Sequence, residues 1–117
     1  MSVPRVIDKP WGHEFVWAET ERYVGKILHV KAGERLSLQY HARKDETIML
    51  LGGRMVLEHF AEGDQPIVSE LAVRAPFRIR PGLRHRMIAL SDSDVVEVST
   101  PELEDVVRLE DKYGRTA

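Results

Sequence analysis

The length, composition and charge of the chain exclude several classes of protein. With 117 residues, of which 43% are hydrophobic and 31% charged, the sequence predicts one globular domain over residues 1–117. The net charge of −2 predicts no affinity for nucleic acid or membranes, and the absence of cysteine rules out disulfides and thiolate metal ligands. No apolar run is long enough to cross a membrane and no signal peptide is recognisable, so we expect a cytoplasmic protein.

Short predicted strands separated by glycine and proline turns fill most of the chain. Residues 9–12 form a turn-rich arm, and strand patterns follow at residues 14–18, 23–30, 34–40, 47–51, 54–60, 67–73, 77–80, 86–89 and 95–99. Gly52-Gly53 predicts a two-residue hairpin between the fourth and fifth of these segments. Residues 102–113 fit either a strand or a short helix. The pattern predicts an all-β sandwich or barrel without deciding between them.

Amide, imidazole and carboxylate side chains occur at spacings that suit a metal site. Gln39 and His41 are two residues apart, so on a strand both point to the same face. Glu46 follows a short polar bend and can return on the neighbouring strand, while His85 follows a Pro-Gly turn much later in the chain. Nitrogen and oxygen donors that converge inside a small barrel would bind a divalent metal.

The spacing of these residues resembles two motifs of the cupin family. Gln39 stands where most cupins have His, and in this the chain resembles the type II mannose-6-phosphate isomerases, whose cupin domain is often fused behind a sugar-nucleotide pyrophosphorylase. The matching segments are Gly33-x5-Gln39-x-His41-x4-Glu46-x6-Gly53 and Pro81-Gly82-x2-His85 for the two cupin motifs, and Lys9-Pro10-Trp11-Gly12, Tyr23-x2-Lys26, Glu97-Val98, residues 104–108 and residues 111–115 for the isomerase family.

The resemblance implies a fold and a cofactor. The fold is a cupin double-stranded jelly-roll β-barrel, with a short strand or helix at its C-terminal end. The metal ligands are Gln39, His41, Glu46 and His85. Two imidazoles, one carboxylate and one amide oxygen suit Zn²⁺, Mn²⁺, Fe²⁺, Ni²⁺ or Co²⁺.

Charged side chains near these motifs are predicted to handle a small anionic substrate. Arg84 and Arg86 flank His85, and arginines beside a metal ligand suit a phosphate group; the alternative is a solvated basic face balanced by the acidic residues that follow in the chain. Lys26 lies among apolar strand residues and is predicted to point inward, for phosphate binding or catalysis, or else to reach solvent at a sheet edge. Glu97 interrupts a valine run, and an inward carboxylate would have a raised pKa suited to a general base, whereas an outward one would be a surface charge.

Three functions stay open at this point. The leading one is a metal-dependent sugar-phosphate isomerase of the mannose-6-phosphate type. A non-catalytic module that binds a sugar or small acid is favoured by Thr47, Ile48 and Ala89, which replace the family's usual His, Trp and Asn; Lys44 likewise replaces an Arg. A metal-dependent oxygenase is the third, because the fold alone does not fix the chemistry. We also expect a homodimer, since small jelly rolls expose sheet edges that natural proteins cover or pair.

Overall fold

Two antiparallel β-sheets form the computed structural model, which describes residues 3–102 and 104–116. One sheet has the order β1-β2-β3-β10-β5-β8 and the other β11-β4-β9-β6-β7. The all-β fold is confirmed, and no helix in the described residues could span a membrane. The strands are β1 (Arg5–Lys9), β2 (Gly12–Glu19), β3 (Val24–Val30), β4 (Leu38–His41), β5 (Glu46–Gly52), β6 (Met55–Phe60), β7 (Ile67–Glu70), β8 (Pro76–Ile79), β9 (Arg84–Ala89), β10 (Ser93–Ser99) and β11 (Val106–Glu110).

Alternating side chains place the hydrophobic core between the sheets. On β5, Ile48 and Leu50 are completely buried, whereas the neighbouring Leu51 is exposed. This two-residue period is what a strand with one buried face requires. Removal of the inner apolar faces from water is the main term that stabilises the fold. The core consists of Trp11, Leu28, Val30, Leu36, Ile48, Leu50, Met55, Leu57, Ile79, Met87, Ala89 and Val95.

The two ends of the chain contain strands that the sequence left undefined. β1 precedes the predicted arm and pairs with β2 across it, with Lys9 opposite Gly12. The ambiguous C-terminal segment contains β11, which pairs with β4. Both are edge strands of their sheets. Exposed edges are the reason for expecting a homodimer, which stays a prediction that light scattering would check.

The predicted hairpin at Gly52-Gly53 is wrong, because the turn connects the two sheets. β5 belongs to the six-stranded sheet, and β6 belongs to the five-stranded one. Gly53 has a φ of 92°, which favours glycine. A Cβ at this position would also lie 2.3 Å from the backbone oxygen of Asp92. The glycine is therefore needed for close packing against the turn before β10.

Candidate metal centre

Three buried side chains from three different strands converge between the sheets. His41 ends β4, Glu46 begins β5 and His85 lies in β9. The Glu46 Oε1 atom lies 3.6 Å from the Nε2 atoms of both imidazoles. One donor atom from each residue lies within 4.8 Å of the others. Two imidazole nitrogens and a carboxylate oxygen grouped in this way fit a divalent transition metal.

The hydrogen bonding of His85 leaves the lone pair of one ring nitrogen facing the cluster and free to bind a metal. Its Nδ1 lies 2.9 Å from the carbonyl oxygen of Leu83 and donates to it. The other nitrogen, Nε2, then carries a lone pair, and it is buried with no hydrogen-bond partner among residues 3–102 and 104–116. Metal-binding histidines are typically oriented by such a bond from the opposite nitrogen. A cation at the cluster would satisfy this lone pair.

Gln39 places its amide at the same cluster. Its Nε2 lies 3.4 Å from Nε2 of His41, and its Oε1 accepts a hydrogen bond of 2.6 Å from Ser37. Rotation of the amide by 180° would turn Oε1 toward the cluster, and the Ser37 hydroxyl can accept from the amide nitrogen equally well. The structure thus brings the four predicted ligands together.

A buried lysine connects the cluster to a second carboxylate. The Lys44 ammonium lies 3.0 Å from Glu46 Oε2 and 3.1 Å from Glu97 Oε2. Glu97 is 5% exposed and points inward, as does Lys26, which forms an ion pair of 3.0 Å with Glu14. Sequence reasoning assigned no role to Lys44. The sequence feature that could have indicated a role is the position of Lys44 two residues before Glu46, where the isomerase family has Arg.

Burial and neighbouring charges shift the pKa values of these groups in different directions. Burial raises the pKa of Glu97, and the negative charge of Glu46 raises it further. Burial would also raise the pKa of Glu46, but the neighbouring His41 imidazole and the charge of Lys44 hold it well below its usual range. Burial would lower the pKa of Lys44, yet the two carboxylates raise it above its usual value. Glu46 and Lys44 therefore stay charged, whereas Glu97 can exchange a proton nearer neutrality.

Two facing rows of cross-strand neighbours line the space around the cluster. Neighbours in register point to the same side of a sheet, so each row shares the inner face. The rings of His59 and Phe77 lie 4.9 Å apart and join the rows at one end. On the five-stranded sheet the row is Arg108, Gln39, His85 and His59. On the six-stranded sheet it is Lys26, Glu97, Ile48 and Phe77.

The structure does not bring the predicted arginine pair to this cluster. Because side chains alternate along a strand, Arg84 and Arg86 lie on the opposite face of β9 from His85. The Arg86 guanidinium lies 3.6 Å from the carboxylates of Glu58 and Glu110. Arg84 donates to a backbone carbonyl oxygen and stacks on an aromatic ring. Their predicted contact with substrate at the metal cluster has no support in this geometry.

The departures from the isomerase motif lie in three different environments. Ile48 lines the inner row beside Glu97. Thr47, its neighbour on β5, points to the outer face of the sheet, and Ala89 is buried in the core four residues beyond His85. Only one of the three positions therefore lies on the wall of the site.

The sequence matches a known protein family over most of its length. Residues 1–111 match the family model described as the C-terminal part of mannose-6-phosphate isomerase. The chain belongs to this family. It is 33% identical over 116 residues to mannose-1-phosphate guanylyltransferase ManC of Salmonella typhimurium, a match that covers 95% of this chain and 23% of that protein. A mannose-1-phosphate guanylyltransferase of Escherichia coli is 31% identical over 118 residues, which cover 97% and 24% of the two chains.

Solved structures share the same architecture at lower sequence identity. The capsular polysaccharide assembling protein CapF of Staphylococcus aureus superposes with a TM-score of 0.75 and 20% identity, over 91% of this chain and 34% of that one. Oxalate decarboxylase of Bacillus subtilis gives a TM-score of 0.76 and 13% identity, over 91% and 30%. These likenesses confirm the cupin jelly-roll fold.

Proposed function

We propose that this protein is a metal-dependent isomerase of sugar phosphates, acting on substrates of the mannose 6-phosphate type. The observation that carries the proposal is the cluster of His41, Glu46 and His85, with Glu97 connected to it through Lys44, in a member of the mannose-6-phosphate isomerase C-terminal family. The curated relatives are named guanylyltransferases, and this chain spans about a quarter of their length.

The residues at the cluster fit a divalent metal. His41, Glu46 and His85 would hold it, with Gln39 as a fourth ligand. The Nε2 atom of His85, which has no hydrogen-bond partner among the described residues, has a lone pair that can bind the metal. A bound metal would act as a Lewis acid that stabilises negative charge on substrate oxygens. The chain's own residues have to bind, orient and deprotonate the substrate.

Glu97 is the residue suited to move the proton between adjacent carbons. It lies on the inner face beside Lys26 and Ile48, and its carboxylate faces Lys44. A carboxyl group with a raised pKa is a better match for proton transfer near neutral pH than an ordinary one. Lys44 keeps the Glu97 and Glu46 carboxylates in fixed positions, so it acts as a positioning residue.

The experiment is an anaerobic assay of mannose 6-phosphate and fructose 6-phosphate interconversion, with each candidate metal in turn. Glu97→Gln is expected to lower turnover about 10²- to 10⁴-fold, the range for loss of a general acid or base, while metal content stays unchanged. Glu70→Gln is the matched control, because Glu70 is exposed on β7. Substrate binding without turnover would favour the binding module, and turnover that is absent from this assay but present in an aerobic repeat with iron would favour the oxygenase.

A further inference from the structure

The contacts between the sheets fix which strands face each other across the site. At one end, Phe77 of β8 packs against His59 of β6. In the middle, Glu46 of β5 lies beside His41 of β4 and His85 of β9. By strand order, β11 must then face β10 and β3 at the other end. Cationic side chains lie at this end, opposite the contact between Phe77 and His59.

Arg108 of β11 is the central cation of this end. It is in register with Gln39, so its side chain shares the inner face with the metal cluster. Its Nε atom is buried and has no hydrogen-bond partner within residues 3–102 and 104–116. A buried guanidinium nitrogen without a partner is costly unless a ligand satisfies it.

Lys9, on the edge strand β1, is a further cation that forms no ion pair with a described carboxylate. Lys26 is neutralised by Glu14 at 3.0 Å, whereas no ion pair with a described carboxylate involves Lys9 or Arg108. Burial lowers the pKa of Lys9 and the charge of Glu14 raises it, while the charges of Lys26, Arg108 and Arg115 lower it further.

The same end is open to a ligand. A cavity of about 280 Å³ is lined by Arg108, Arg115 and the two valines of β11. Arg115 is already held by Asp111 through bonds of 2.9 and 3.0 Å. Arg108 is thus the guanidinium at this cavity that remains available for an incoming anion.

We propose that Arg108 forms an anion-binding subsite, which holds the phosphate of a substrate whose carbonyl end lies at the His41, Glu46 and His85 cluster. Guanidinium binds phosphate oxygens in a bidentate manner through charge-assisted hydrogen bonds. This inference rests on the proposed function and names the group that selects its substrate. The phosphate is then bound at the inner face, and not by the outward-facing arginines of β9 that the sequence predicted.

The test is calorimetric titration of the whole chain with inorganic phosphate, fructose 6-phosphate and fructose. Arg108→Gln is expected to weaken binding of phosphate and fructose 6-phosphate by about 10- to 100-fold, as for loss of a charge-assisted hydrogen bond, and to leave fructose binding unchanged. Arg86→Gln is the matched control, because it removes the same group from the outer face of β9. If Arg108→Gln fails to fold, Arg108→Lys is the test, because it keeps the charge but removes the bidentate fork: it should bind phosphate more weakly than the wild type, and an unchanged affinity would overturn the subsite.

The outcomes separate this subsite from the proposed isomerase activity. Phosphate binding that depends on Arg108 in a protein without isomerase activity would support the subsite and refute the proposed function. Isomerase activity with phosphate affinity unchanged in Arg108→Gln would overturn the subsite alone. Loss of phosphate binding in Arg86→Gln, or no preference of the wild type for the phosphorylated sugar, would also overturn it.

Discussion

Replacement of Lys44 by methionine tests the buried charge network directly. The ammonium lies 3.0 and 3.1 Å from the carboxylates of Glu46 and Glu97, and all three residues are at most 5% exposed. Lys44→Met retains most of the apolar stem and removes the charge, so two buried carboxylates are left facing each other. Removal of one partner of a buried ion pair costs about 3–5 kcal/mol of the free energy of unfolding.

This cost predicts a large fall in melting temperature. With an unfolding entropy of about 2.1 cal/mol/K per residue over the 117-residue chain, 1 kcal/mol corresponds to about 4 °C. Lys44→Met should therefore melt about 12–20 °C below the wild type, and Lys44→Arg, which keeps the cation, should lose much less. The measurement is thermal and urea unfolding in the presence of a chelator, because a bound metal would neutralise Glu46.

The matched control is Lys31→Met, at an exposed position between β3 and β4. Its free energy of unfolding should change by no more than about 0.5 kcal/mol, as for most surface substitutions. If Lys44→Met loses as little as Lys31→Met, the reasoning fails, because Lys44 would not be neutralising two buried carboxylates. Addition of Glu97→Gln to Lys44→Met should restore part of the lost stability, since it removes one of the two charges.

Three further predictions concern the metal and one turn. His41→Ala with His85→Ala should abolish stoichiometric metal content, measured by elemental analysis; full occupancy in the double variant would refute the ligand assignment. Metal affinity should fall only at acid pH, because protons compete for the His85 imidazole and burial lowers its pKa; a fall already complete near neutrality would contradict this. Gly53→Ala should lower the free energy of unfolding in urea by about 1–3 kcal/mol, because Gly53 has a positive φ and is closely packed. Gly52→Ala should lower it less, since no atom lies within 4 Å of the added Cβ, and equal losses would contradict the packing argument.

The candidate ligands were predictable partly from spacing and partly from the resemblance to the cupin motifs. Gln39 and His41 share a face by the two-residue period of a strand, whereas His85 lies far along the chain and was connected to them by its match to the second motif. The same period also shows why the arginine prediction has no support. If His85 points inward, then Arg84 and Arg86 on either side of it must point outward, and this was available from the sequence alone.

Other features depend on pairing between distant segments, which spacing does not reveal. Arg108 faces the cluster only because β11 pairs with β4 in a register that places it opposite Gln39. The Gly52-Gly53 segment has the local signal of a hairpin, but its flanking strands bury their inner faces on opposite sides of one core. In each case long-range packing decided between structures that are locally equivalent.

The strand order sets a length for the substrate that can use both the metal cluster and Arg108. Arg108 and His85 are separated by two strand spacings, from β11 through β4 to β9. At about 4.8 Å per spacing, their strands lie roughly 10 Å apart. A phosphate several carbons from the carbonyl, as in a hexose 6-phosphate, suits this separation better than a phosphate on the carbon next to the carbonyl. Fructose 6-phosphate should therefore bind more tightly than dihydroxyacetone phosphate in calorimetry, and Arg108→Gln should remove most of the difference. Equal affinity of the wild type for both compounds would show that the two groups do not act on one substrate molecule.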